Sequence, residues 1–135
     1  LIDDMLEQIE AALLMPDRSA VEKLYAMTEA LLAVNDEPYE VELMAIFHRP
    51  DNAPIHDRVT RSLGPRLMPH LAAIIEQGVR EGVFVAEDPT KSAWFILGAL
   101  QGMETGFTDV DETRSAIVQL RAFVLRGLGY ADGRP

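Results

Sequence analysis

Apolar residues recur at intervals of three and four along most of this chain, beginning with Ile2, Met5, Leu6, Ile9 and Leu13. Side chains at that spacing share one face of an α-helix, whereas a half-buried strand would alternate apolar and polar residues. No segment shows a convincing alternation of that kind. The pattern therefore predicts an all-α domain of five to six helices.

Prolines, glycines and capping residues divide the chain into those helices. Pro65 and Pro69 are expected to kink the fourth helix without breaking it, and Gly82 is expected to cap its end. The predicted segments run from Leu1 to Met15-Pro16; from Asp17, as N-cap, to Asn35; from Glu37-Pro38 to Arg49-Pro50-Asp51-Asn52; and from about Pro54 to Gly82. Asp88-Pro89 begins the next helix, which holds Phe95 to Phe107, and the last helix runs from about Asp111 to Leu128.

The segment "FILGALQGMETGF", Phe95 to Phe107, places a glycine at every fourth position of a predicted helix. Each glycine in a helix interior costs roughly 1 kcal/mol relative to alanine, so a compensating interaction is expected. The glycine stripe would allow close approach of a helix from a second copy or, as the alternative, from the same chain. We predict a homodimer whose interface includes Phe95, Gly98, Ala99, Gly102, Gly106, Ile117, Leu120 and Val124.

Composition excludes several classes of protein. The 135 residues contain no cysteine, which excludes disulfides and thiol chemistry and favours a reducing, cytoplasmic location. The formal net charge of −10 predicts poor binding to nucleic acid. The uncharged run from Ser92 to Met103 is too short for a membrane span, which needs about 20 apolar residues. We expect a single domain with no membrane partner.

Candidate catalytic and metal-binding residues are few. The histidines His48, His56 and His70 lack the glutamate three residues earlier that a helical di-metal site would use. The sequence has no cysteine and no Gly-x-Ser-x-Gly segment to supply an activated nucleophile. We therefore expect no enzymatic activity, no metal site and no cofactor.

The segment "LAAIIEQGVREGVFVAEDPTKSAWFILGALQGM", Leu71 to Met103, resembles the C-terminal regulatory domain of TetR/AcrR-type transcriptional repressors. It combines an amphipathic helix ending in Gly-x-x-x-Gly-x-Phe, a short loop, Asp-Pro and a helix rich in small residues. The resemblance implies that residues 1–135 form an effector-binding and dimerisation domain in which the last two helices of two subunits make a four-helix bundle.

The resemblance also implies a helix-turn-helix domain upstream, to which the helix at Leu1 would be the link. The chain begins inside an amphipathic pattern and without a methionine. We therefore expect it to be part of a longer protein, whose helix-turn-helix domain is not among these residues. Operator DNA would then be bound only through the missing domain. The alternative function is a stand-alone helical module that binds proteins or small molecules.

The resemblance also implies a cavity between the middle helices in which an effector binds. Thr28, His56 and Thr60 lie on apolar faces, where a polar group without a partner costs roughly 1 to 3 kcal/mol. They either orient a ligand or are core groups satisfied within the protein. The predicted ligand-binding residues are Tyr25, Thr28, Met44, Phe47, His56, Thr60, Met68, Leu100, Met103 and Glu104. The expected effector is a hydrophobic small molecule, and Glu104, if it points inward, would favour a cationic one.

Overall fold

The computed structural model describes residues 2–34, 42, 45–46, 49–107 and 109–131. These residues contain five complete α-helices and one short 3-10 turn at Pro50–Asn52, and no strand occurs among them. The helices are α1 (Ile2–Leu13), α2 (Ala20–Val34), α3 (Ala53–Arg80), α4 (Pro89–Gly106) and α5 (Val110–Gly127). The prediction of an all-α fold is confirmed. Of the third predicted helix, only Glu42, Ala45 and Ile46 lie within the described residues, and they are helical.

A reciprocal pair of hydrogen bonds fixes where α2 begins. The Ser19 hydroxyl oxygen accepts the Glu22 amide at 3.1 Å, and the Glu22 carboxylate accepts the Ser19 amide at 3.2 Å. This capping box makes Ser19 the N-cap, so the prediction of Asp17 was wrong. A capping box needs Glu or Gln three residues after the N-cap, and the residue three positions after Asp17 is Ala20. The Ser19 amide and hydroxyl hold the pKa of the exposed Glu22 carboxyl below its usual value.

Aspartate side chains begin the last two helices. Asp88 accepts the amide of Lys91 at 3.2 Å, and Pro89 occupies the first turn of α4 as predicted. Asp109 accepts the amide of Glu112 at 3.1 Å at the start of α5. Both bonds satisfy backbone donors that have no partner inside their own helix.

Helix α3 continues through both of its prolines over 28 residues. Pro65 and Pro69 have no amide hydrogen, so the carbonyls of Arg61 and Pro65 lose the donors that a regular helix would give them. The helix runs without interruption across this segment, in agreement with the prediction that it would not break.

Helix α3 is also the centre of the packing, since it contacts α1, α2 and α4. The most completely buried side chains are Ile9 of α1 and Leu71, Ile74 and Ile75 of α3. Ile9 belongs to the apolar stripe predicted for the first helix, and the other three lie in the amphipathic helix predicted at the start of the Leu71 to Met103 segment. Burial of each such side chain contributes about 1.5 to 3 kcal/mol to folding. Helix α5 packs against α2 and α4 on the other side of the core.

Polar side chains near the end of α3 hold the start of α2. The Glu81 carboxylate accepts the Ala20 amide at 3.0 Å. The Gln77 side chain donates to the Arg18 carbonyl at 2.8 Å and accepts from the Lys23 ammonium at 2.7 Å. These bonds fix the first turn of α2 against α3, and so set the direction in which α2 runs toward α5.

The Gly-x-x-x-Gly-x-Phe segment at the end of α3 has a direct structural explanation. The Phe84 ring, 3% exposed, packs so closely on Gly78 that a Cβ atom there would lie 1.9 Å from the ring. Gly82 has φ +78°, and the Val83 amide bonds back to the Gly78 carbonyl at 3.0 Å, which is the Schellman arrangement at a helix end. The predicted cap at Gly82 is confirmed.

Candidate functional site

A small cavity lies between α2, α4 and α5. Its volume is about 20 Å³, which is enough for about one water molecule and far less than a drug-sized ligand occupies. Its lining is apolar apart from two side chains, Thr28 and Arg121. The described lining residues are Leu24, Met27, Thr28, Leu31, Ile96, Leu100, Ile117, Leu120, Arg121 and Val124.

Thr28 is a buried polar residue whose hydroxyl is satisfied inside the protomer. Its Oγ1 lies 2.9 Å from the Tyr25 carbonyl and 3.2 Å from the Leu24 carbonyl of the preceding turn. It also accepts a hydrogen bond of 3.1 Å from Nη1 of Arg121. The hydroxyl is therefore both a donor to its own helix and an acceptor for α5.

Arg121 connects α5 to α2 at the edge of the cavity. The same Nη1 atom donates to the Glu29 carboxylate at 3.1 Å, and the guanidinium carbon lies 4.2 Å from the centre of the Tyr25 ring. The Arg121 side chain is 17% exposed, whereas that of Glu29 is 65% exposed. One face of the guanidinium thus lies on an aromatic ring, which favours a cation.

A second arginine joins the same two helices farther along. Nη1 of Arg114 donates to the Leu32 carbonyl in the last turn of α2 at 3.1 Å. A cation near a helix C-terminus is favourable because the final carbonyls lack helical partners. Unlike Arg121, Arg114 is not part of the cavity lining.

The predicted ligand-binding residues fall into three groups. Thr28 and Leu100 line the cavity. Tyr25 lies next to Arg121 on the rim of an open surface groove beside α1, and Met68 and Met103 are half-buried. Met44 and Phe47 lie outside the described residues, and for His56, Thr60 and Glu104 the structure describes the helical backbone but not the side chains.

Sequence reasoning missed Arg121. The residue lies on the stripe formed by Ile117, Leu120 and Val124, all of which face the cavity. An arginine on an otherwise apolar helical stripe is the signal that could have identified it, by the same reasoning that selected Thr28.

The outer face of α4 is the second candidate site. Phe95 is 74% exposed, and a Cβ atom at Gly98, Gly102 or Gly106 would meet no atom of the described chain within 4 Å. On the opposite side of the same helix, Ala93, Ile96 and Leu97 are buried in the core. The neighbouring helix α5 exposes Val118 and Phe123. The protomer therefore covers one side of α4 and leaves an apolar, glycine-lined side in contact with solvent.

The predicted interface residues do not all lie on that outer face. Phe95, Gly98, Gly102 and Gly106 are exposed there, and Ala99 is half-buried. Ile117, in contrast, is buried, and Leu120 and Val124 line the internal cavity with it. Their stripe on α5 faces α2 of the same chain, whereas the exposed apolar side chains Val118 and Phe123 lie elsewhere on α5.

Metal-binding clusters and membrane-spanning helices are both absent from the part of the chain that the structure describes. No group of three or more histidine, aspartate or glutamate side chains there is arranged to hold a metal ion. None of the helices described has both the length and the apolar character to cross a lipid bilayer.

Comparison with known proteins gives a match in fold. No protein-family model and no curated protein sequence matches the chain. The chain is similar to the crystal structure of a bacterial regulatory protein in the TetR family from Rhodococcus RHA1, with a TM-score of 0.60 and 22% sequence identity, covering 96% of this chain and 69% of that one. The protein thus has the all-α fold seen in a TetR-family regulator.

Proposed function

We propose that residues 1–135 are the effector-binding and dimerisation domain of a TetR-type transcriptional repressor, a cytoplasmic regulator without enzymatic activity. In this proposal a small molecule binds the domain and lowers the affinity of the parent protein for operator DNA. The observation that carries the proposal is the combination of a TetR-like fold with a glycine-lined face of α4 that the protomer leaves uncovered.

Dimerisation is supported by the character of that uncovered face. Glycines at every fourth position let two helix backbones approach closely, and the exposed Phe95 beside them supplies apolar area to bury. A second copy of the chain presents the same face, so a two-fold arrangement would bury both at once. Helix α5, through Val118 and Phe123, would add the second pair of helices to a four-helix bundle.

Effector binding is supported by the position of the apolar cavity. It lies between α2 and the two helices, α4 and α5, whose outer faces would form the dimer. At about 20 Å³ it has to widen to admit a hydrophobic small molecule, and widening moves α2 relative to those helices. A ligand there would therefore act on the dimer geometry directly. Among the predicted ligand-binding residues, Thr28 and Leu100 are those that would contact it first.

A route from α3 to the first helix is supported by one ion pair at the surface. Nε of Arg66 lies 2.6 Å from the Glu10 carboxylate, which connects the proline-containing segment of α3 to α1. In the proposed function α1 is the helix that leads to the DNA-binding domain. A shift of α3 near Pro65 and Pro69 would be passed to α1 through this pair.

The experiment that tests the function uses the full-length protein. The coding sequence before Leu1 should encode a basic helix-turn-helix segment, and the purified protein should capture a discrete genomic DNA fragment. DNA binding, followed by fluorescence anisotropy, should weaken when a compound that stabilises the 135-residue chain is added. A start codon directly before Leu1, or the absence of any sequence-specific DNA binding, would instead support a stand-alone helical module.

A further inference from the structure

Arg121 lies at the edge of the cavity, and its described hydrogen bonds run to α2. The space inside the cavity is lined almost wholly by apolar atoms, whereas the guanidinium bonds to Thr28 and Glu29 and lies 4.2 Å from the centre of the Tyr25 ring. We propose that these four side chains, which we call the Arg121 clasp, hold the cavity closed and so set how tightly an effector binds. This inference rests on the proposed function and concerns the regulation of its site.

The boundary between α2 and α5 is where the cavity opens. Helix α4, which forms the third wall, packs more extensively on α3 than on α5. In the proposed dimer the partner copy would hold α4 and α5 together, whereas α2 lies outside that bundle. Opening therefore separates α2 from α5, and it breaks the contacts that Arg121 makes with Tyr25, Thr28 and Glu29.

Each member of the clasp has another partner once the clasp opens. The Thr28 hydroxyl keeps the carbonyls of its own helix, at 2.9 Å from Tyr25 and 3.2 Å from Leu24. The Glu29 side chain is 65% exposed and returns to water, as does the Arg121 side chain at the cavity edge. No buried polar group is left without a partner, so opening costs only the contacts themselves.

An apolar ligand inside the cavity cannot replace those contacts. Its measured affinity is therefore its affinity for the open cavity, reduced by the small fraction of molecules that are open. A cation–π contact and an exposed ion pair are together worth about tenfold in an equilibrium constant. Weakening the clasp should thus increase the affinity, which is the opposite of what loss of a ligand-binding residue would do.

The test measures the binding of 1-octanol to the 135-residue chain by isothermal titration. This probe is uncharged, so a change of charge in the protein does not attract or repel it directly. Arg121→Met keeps the apolar stem and removes the guanidinium, and it should bind 1-octanol about tenfold more tightly than wild type. Glu29→Gln leaves the cavity lining unchanged and should bind it about twofold more tightly.

Three further variants are the controls. Arg126→Met removes an exposed arginine from the last turn of α5, and Glu76→Gln removes an exposed carboxylate from α3. Both should bind 1-octanol as wild type does. Leu100→Phe narrows the cavity and should weaken binding, which locates the probe there.

Amide hydrogen exchange of the ligand-free proteins gives an independent measurement. In Arg121→Met the amides of residues 117–124 on α5 should exchange faster than in wild type, whereas those of Leu71, Ile74 and Ile75 on α3 should be unchanged. A variant that only destabilised the fold would exchange faster in both helices.

The possible failures are distinguishable. If Arg121→Met binds 1-octanol no more tightly than wild type, the cavity accepts apolar ligands but the clasp does not control it. If Arg121→Met does not fold, Glu29→Gln decides in its place, and unchanged binding overturns the proposal. If no variant binds 1-octanol, or if Leu100→Phe binds it as wild type does, the cavity is not an apolar ligand site. The effector-binding part of the proposed function is then wrong as well.

Discussion

The chain contains two segments in which glycine recurs at every fourth position, and they differ in what surrounds them. In the first, Gly78 lies under the Phe84 ring and Gly82 has φ +78°, so the fold of the protomer requires both. In the second, Gly98, Gly102 and Gly106 lie in helix α4, and no atom of the described residues is within 4 Å of where a Cβ atom would be. The described protomer therefore explains why glycine is required in the first segment, and it gives no such explanation for the second.

This difference indicates that the interaction which compensates for the glycines of α4 lies outside the described protomer. Glycine in a helix interior costs roughly 1 kcal/mol, so the two interior glycines of the second segment, Gly98 and Gly102, cost roughly 2 kcal/mol per protomer. Neither a close contact nor a positive φ among the described residues offsets that cost. A second copy of the chain, packed on the exposed face of α4, would offset it. Substitutions in the two segments should therefore have effects of opposite sign on the isolated protomer.

The largest effect is expected at Gly78. In Gly78→Ala the new Cβ would overlap the Phe84 ring, which is buried and cannot move away cheaply. We expect a loss of about 3 kcal/mol in the free energy of unfolding, measured by urea denaturation followed by circular dichroism. Because the clash lies inside one protomer, this loss should be the same at low and high protein concentration after the free energy of dimer dissociation is subtracted.

The contact between Gly78 and the Phe84 ring can be tested by removing the ring. Phe84→Ala alone should cost about 3 to 5 kcal/mol, since it empties a core position. If the ring is the cause, adding Gly78→Ala to Phe84→Ala should cost nothing more. A Gly78→Ala variant as stable as wild type would contradict the explanation of this segment.

An intermediate effect is expected at Gly82. Gly82→Ala places a Cβ at a positive φ but meets no described atom within 4 Å, so only the backbone conformation is penalised. The expected loss is about 1 kcal/mol. Gly82→Asn is the matched variant and should lose less, because asparagine tolerates this conformation. Equal losses for alanine and asparagine would show that some other contact is involved.

The smallest effect, and the one of opposite sign, is expected at Gly98. In Gly98→Ala the new methyl group meets no atom of the described residues within 4 Å, so the monomer should gain about 0.5 to 1 kcal/mol from helix propensity. The same methyl group would hinder close approach of a partner helix and weaken the dimer. Thermal unfolding at low and high protein concentration separates the two effects. A variant whose monomer is destabilised would contradict the description of this face as open.

The helices and most of the core could be predicted because they depend on local patterns. The spacing of Leu71, Ile74 and Ile75 identifies the buried side of α3, and Asp88-Pro89 identifies the start of α4. The start of α2 was placed two residues early, at Asp17 in place of Ser19, because aspartate and serine are both good N-caps. The reciprocal bond from Glu22 decides between them.

The site could be predicted only in part, because a helical stripe does not identify the helix that will cover it. Ile117 shares a stripe with Leu120 and Val124, and the sequence assigned all three to a subunit interface, whereas α2 of the same chain covers them. Thr28 was selected as a polar residue on an apolar face, and it does lie on the cavity. Arg121 was missed because its partners are some 90 residues away in sequence on α2, as the separation of 93 from Thr28 shows.

The most direct test of the central claim, that the exposed face of α4 is covered by a second copy, is sedimentation equilibrium of the 135-residue chain. Wild type should be a dimer at micromolar concentration, and Gly102→Leu, which fills the space a partner backbone would use, should be a monomer or aggregate. Ala73→Leu adds a similar side chain at an exposed position of α3 and should remain a dimer. A wild type that sediments as a monomer at high micromolar concentration, or a Gly102→Leu variant that dimerises as wild type does, would contradict the claim.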